Sequence, residues 1–152
     1  MSGFDIGALK AALATKIAAA YTAAGWGCNV YDYAPADPIT PCVVIDTGEV
    51  EYHQTANPTS GVSALALEIE VRIPAGSARD VDALKDCDKV KGVGDGESLF
   101  TAVSSDNYAL TGVTGWAIVL LSSSAPQLVG TVDGQRFWCS VTFPARLARS
   151  NT

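Results

Sequence analysis

From Leu65 to Ile73 every second residue is a large aliphatic one. Leu65, Leu67, Ile69, Val71 and Ile73 fall on one side of an extended chain, and Ala66, Glu68, Glu70 and Arg72 fall on the other. A period of two predicts a β-strand with one face in a core and one face outside it. Taken from Val62 to Ile73, the strand reaches about 40 Å at ~3.3 Å per residue, longer than most. Such a strand is expected to overhang its own domain and to offer backbone groups to a neighbour. Near the start of the chain the period changes. Ile6, Leu9, Leu13, Ile17, Tyr21 and Ala24 recur at helical spacing, behind Ser2 and Asp5 at capping-box distance and before Gly25, a left-handed stop. Alanines at 11, 12, 14, 18 and 19 fill the other sides of this helix, through helix propensity or for close packing against another helix.

Shorter signals complete the plan. Cys28–Tyr33 and Cys42–Thr47 read as strands, the second β-branched at Val43, Val44 and Ile45. Pro35, Pro38 and Pro41 force an extended connection between them. A polar stretch from Glu49 to Gly61 ends in Asn57-Pro58-Thr59-Ser60-Gly61, a loop signal. Pro74-Ala75-Gly76 is expected to break the long strand, and Ser77 with Asp80 to cap a second helix reaching Lys91. Its apolar stripe is narrow: Val81, Leu84 and Cys87 or Asp88. Acids early and lysines late suit its dipole. A glycine-rich turn leads to a short helix over Glu97–Val103. Strands follow at Trp116–Ser122, Gln127–Thr131 and Gln135–Phe143, with Asp133-Gly134 as a hairpin turn and a polar tail from about Arg146. The expected fold class is α+β. An antiparallel or mixed β-sheet packs against the N-terminal helix and a second mid-chain helix in one domain spanning residues 1–152.

Composition narrows the function. Sixteen acids against ten bases give a formal charge of −6, with no basic run of the kind that displaces counterions from phosphate. Charged residues are only 17% of the chain and apolar ones 48%, which fits either a surface partly covered by partners or an alanine-rich chain. Cys28, Cys42, Cys87 and Cys139 are too few and too scattered for a disulfide framework, so free thiols are expected. The first residues lack a signal-peptide pattern, and no apolar run has bilayer-spanning length, so no membrane is expected.

The candidate chemistry fails residue by residue. His53 is the only histidine and lies between Tyr52 and Gln54 in a polar stretch; no G-x-S-x-G elbow supplies a nucleophile for it. An EF-hand loop needs an oxygen ligand at position five and glycine at six. Starting at Asp86 these are Val90 and Lys91; starting at Asp80 they are Leu84 and Lys85. Gly92-Val93-Gly94-Asp95-Gly96 resembles a phosphate loop, but the dinucleotide fingerprint wants glycine where Glu97 stands, and two acids there repel phosphate. Glu68 and Glu70 share a strand face at roughly 7 Å spacing, close enough for acid–base work in a cleft. Arg72 beside them favours a charged row on a surface or interface. No catalytic residue, cofactor or metal is assigned.

The order of elements resembles that of the tail terminator proteins of long-tailed bacteriophages. The resemblance is carried by the amphipathic first helix, the connection Tyr33-Ala34-Pro35-Ala36-Asp37-Pro38-Ile39-Thr40-Pro41, and the strand Cys42-Val43-Val44-Ile45. The long strand ending Val71-Arg72-Ile73, the helix near Ser98-Leu99-Phe100 and the terminal hairpin extend it over nearly the whole chain. It implies a structural virion protein: a homohexameric ring that caps the tail tube, stops its polymerisation and presents a surface to a head-completion or neck protein. DNA would pass through the lumen unbound, past acidic groups that do not hold it. Glu68, Glu70, Arg72, Asp95 and Glu97 are the candidate interface or lumen residues. Another head–tail junction protein, or a small ligand-binding or hydrolytic domain, are the competing readings.

Overall fold

The first helix, α1 (Ile6–Ala23), starts one turn later than the Ser2 box predicts. Asp5 is its N-cap, and its Oδ1 accepts the Gly7 amide at 2.8 Å. Asp caps well because its carboxylate meets an orphan amide at the positive end of the helix dipole. At the other end Gly25 takes φ +79°, the Gly25 amide reaches the Thr22 carbonyl and the Trp26 amide reaches the Tyr21 carbonyl at 2.9 Å. These are the two bonds of a Schellman stop. The computed structural model describes residues 5–36, 38–52, 62–75, 80–94, 96–110, 112–113, 115–130 and 137–149. His53, Ser77, Asp95 and the Asp133-Gly134 turn lie outside them.

Among the described residues six strands form one mixed sheet: β1 (Asn29–Tyr31), β2 (Cys42–Tyr52), β3 (Val62–Ala75), β4 (Trp116–Leu120), β5 (Gln127–Gly130) and β6 (Phe137–Arg149). The order is β1-β2-β3-β6-β4, and β5 also pairs with β6, nearer its start than β4. Of these pairings only β1–β2 is parallel. The long strand β3 is central. It pairs with β2 from Val62 to Arg72 and with β6 from Ala64 to Ala75. Most of its backbone groups are thus taken up within the chain, which corrects the expectation of an overhanging strand. Partners nearly as long supply its ladder on both sides. β3 also continues through Pro74 to Ala75, beyond the expected break. There β2 has already ended, so Pro74 lies on a one-sided stretch, where a missing donor is tolerated.

Likewise β6 runs to Arg149, and no polar tail begins at Arg146. Pro144 interrupts its pattern without breaking its pairing to β3. The Pro144 carbonyl accepts the Leu121 amide at 2.9 Å on the β4 side. A strand residue's nitrogen and carbonyl point to the same side, so the donor that Pro144 lacks costs the β3–β6 ladder nothing. In β2 a bulge between Thr47 and Val50 re-aims the strand. Gly48 permits it, since a Cβ there would stand 3.0 Å from the Ala66 carbonyl oxygen.

The described α-helices lie on the face of the sheet that carries Leu65, Leu67, Ile69, Val71 and Ile73. These residues are buried with Leu9, Leu13, Ile17 and Tyr21 of α1, and with Cys139, Val141, Phe143, Ala145 and Leu147 of β6. The second helix, α2 (Asp80–Lys91), turns Ala83, Cys87 and Val90 into this core and leaves Val81 and Leu84 exposed. Cys87 is buried as expected, while Val81 and Leu84 are not in the inward row, whose other members are Ala83 and Val90. The third, α3 (Leu99–Ser104), is capped by Ser98, whose Oγ accepts the Thr101 amide at 3.1 Å and donates to the Gly92 carbonyl. Lys16 of α1 reaches across to the carbonyls of Ser105 and Ala109 and ties the following turn to the first helix.

Candidate assembly surface

The face of the sheet away from the helices carries most of the candidate residues. Register places Glu68 opposite Asp46, Glu70 opposite Val44 and Thr142, and Arg72 opposite Cys42 and Ser140. Glu68 is exposed. Glu70 and Arg72 are half-buried and bound to each other: Arg72 Nε and Nη2 both meet Glu70 Oε1, at 3.0 and 2.9 Å. Ser140 Oγ donates to Glu70 Oε2 at 2.6 Å, and the guanidinium lies 5.0 Å from the ring centre of Trp138. Both oxygens of Glu70 are therefore engaged. Its chemistry is to hold β3 to β6, and the acid–base pair imagined for Glu68 and Glu70 is not free to act.

Part of the same face is covered by the proline-rich connection. Asn29 Nδ2 donates to the Ile39 carbonyl at 3.1 Å, and the Ile39 amide donates to Tyr31 Oη at 3.3 Å. Asn29 and Tyr31 share a face with Cys42 and Val44, which are fully buried. Burial pushes the Cys42 thiol above its usual range; Arg72 pulls it back and Glu70 pushes it further up. Beyond the connection Lys10, only 2% exposed, places its ammonium 3.7 Å from the ring centre of Tyr33. Desolvation lowers its pKa, against the attraction of Asp46 and Asp32.

Glu97 stands elsewhere. It lines a cleft of about 280 Å³ in the helix layer with Ala24, Gly25, Trp26, Lys89 and Gly96. Its Oε2 is buried without a protein hydrogen bond, as is Tyr21 Oη, which packs beside the edge-on ring of Trp26 at 4.7 Å. Desolvation and the nearby Cys28 and Glu97 push the Tyr21 hydroxyl well above its usual pKa. Glu68, Glu70 and Arg72 are thus brought together on the sheet, and Glu97 is separated from them by the sheet and the core. Asp95 lies outside the described residues. Compared with known proteins, the chain matches no family model and no curated protein. Among the described residues, no helix is long and apolar enough to cross a membrane and no group of three or more His, Cys, Asp or Glu could hold a metal ion.

What the pattern of the sequence misses is where large apolar side chains stay exposed. Tyr33 and Ile39 (66% exposed) stand at the β1 side of the sheet. Val119, Leu121 (62% exposed) and Leu128 stand on the strands β4 and β5 and the segment between them, at the opposite side. A shallow cleft of about 220 Å³ is lined by Leu121 with Glu49, Ala64, Ala66, Ala145 and Arg146. The strand order alone puts the two groups at opposite ends of one sheet. That order cannot be read from local periodicity, so no single-sequence signal marks them as a pair.

Proposed function

We propose that this protein is a structural ring subunit of a bacteriophage tail, a tail terminator that caps the tube and presents a surface to the head. The observation that carries the reading is the exposure of large apolar side chains at both edges of the sheet, Tyr33 and Ile39 at the β1 edge and Val119 and Leu121 at the β4 edge. Two different patches that fit each other make a head-to-tail contact, and such contacts close into rings when the rotation allows. On this reading six copies join edge to edge and the tail tube protein binds one side of the ring. A head-completion or neck protein binds the other, and DNA passes through unbound. The exposed Glu68, on an acidic chain of formal charge −6, suits a wall along which DNA slides. The role is mechanical and uses no catalytic residue or cofactor. It places the protein at the head–tail junction of the virion.

Electron microscopy of the purified protein mixed with tail tubes tests the proposal. Six copies at one end of each tube, with no further growth when tube subunits are added, are the expected result. Absence of binding to tubes sinks it, and binding on the portal side instead points to a neck stopper.

A further inference from the structure

Cys87 and Cys139 come from different elements, α2 and β6, and are 52 positions apart in sequence, yet their sulfurs lie 3.1 Å from each other. Both are fully buried, and both thiols are free. The other two cysteines are placed differently: Cys28 Sγ faces the Asn29 carbonyl, and Cys42 lies on the opposite face of the sheet from Cys139. We infer that Cys87 and Cys139 form a latent cross-link, a dithiol that a small disulfide oxidant converts into an internal disulfide bolting α2 to the sheet. Closing the gap to the ~2.05 Å of a disulfide takes about 1 Å of sulfur movement, small enough for side-chain rotation to contribute.

The exchange balances in two steps. One thiol of the pair loses its proton and attacks the oxidant, giving a mixed disulfide and releasing one small thiolate. The second thiol loses its proton and attacks the protein sulfur of that mixed disulfide. The S–S bond forms, a second small thiolate leaves, and the two protons end on the two released thiols. The pair gives up two electrons and the oxidant takes them. Thiolate is the attacking form. Burial, the hydrogen bond to Cys139 and the nearby Asp86 and Asp88 all push the Cys87 thiol up. Reaction in the closed fold is therefore slow, and its rate follows the opening of α2.

The test uses the full chain with Cys28→Ala and Cys42→Ala, treated with oxidised glutathione in urea just below the unfolding transition. The expected result is loss of both titratable thiols, a tryptic Cys87–Cys139 peptide lacking two hydrogens, and no retained glutathione. The cross-linked protein should melt roughly 5–15 °C higher, from the long loop it closes, and dithiothreitol should reverse the gain. Cys139→Ala in the same background should stop at the glutathione adduct. Two thiols still free under these conditions, or a stable adduct in the chain that keeps both, overturns the inference.

Discussion

Among the described residues, four groups that ionise in alkaline water are held neutral: Cys28, Cys42, Cys87 and Tyr21. Burial is the first cause in each, and it pushes the Cys28 thiol up to about 12. For an acid whose folded pKa is raised, the unfolded chain gives up its proton first. The stabilisation is complete below the unfolded value, pH 9.0 for the thiols and 10.0 for the tyrosine, and is lost as pH climbs toward the folded values. Lys10 works the other way. Its lowered pKa makes the unfolded chain hold the proton longer, so its contribution improves as pH rises toward 10.5. One lysine opposes four acids, and each group changes stability by at most about 1.4 kcal/mol per pH unit. The urea midpoint, measured under reducing conditions, should therefore fall steadily from pH 9 to pH 11. Cys28→Ala should make the fall shallower. A midpoint that stays flat over that range contradicts the buried, neutral state of these groups.

At the level of elements, the stop of α1 gives a paired prediction. Gly25 has φ +79° and nothing within 4 Å of where a Cβ would sit, so Gly25→Ala is penalised through the backbone alone. The cost should be about 1 kcal/mol, a loss of about 2–4 °C in melting temperature. Gly27 has the same open space without the positive φ, and Gly27→Ala should be close to neutral. Equal effects would remove the Schellman stop as the cause. Elements whose pattern is set by large residues were legible in the sequence: Leu9, Leu13, Ile17 and Tyr21 fix α1, and the odd positions from Leu65 to Ile73 fix the buried face of β3. Where small residues do the packing, the pattern misleads. On α2 Ala83 and Val90 join Cys87 on the inward side, while Val81 and Leu84 stay outside. The end of β6 was hidden by Pro144 and Arg146, although Ala145 and Leu147 continue its alternation. For the site, the Glu70–Arg72 pair follows from spacing two apart on one strand face. Its partners Ser140 and Trp138 depend on the register of β3 against β6, which one sequence does not encode locally.

For the whole molecule, the proposed ring turns on the two apolar edges being different. In that ring a head-to-tail contact would join the Ile39 edge of one copy to the Leu121 edge of the next, whereas a two-fold contact would join like to like. Placing a charge at either edge should weaken head-to-tail assembly by about 2 kcal/mol or more, the scale of a central contact residue. Ile39→Asp and Leu121→Asp should each leave the fold and its melting temperature nearly unchanged, because both side chains are exposed in the single chain. Neither variant alone should form rings on tail tubes. Mixed together, they distinguish the two geometries. An Ile39→Asp copy keeps a good Leu121 edge, and a Leu121→Asp copy keeps a good Ile39 edge, so one intact contact exists between them and neither can extend it. Native mass spectrometry of the mixture at high concentration should show a heterodimer that goes no further. Homodimers in either variant alone would mean like edges pair. Full rings from either variant would mean that these edges are not where copies meet, and the apolar side chains at Tyr33, Ile39, Val119, Leu121 and Leu128 would then need another partner.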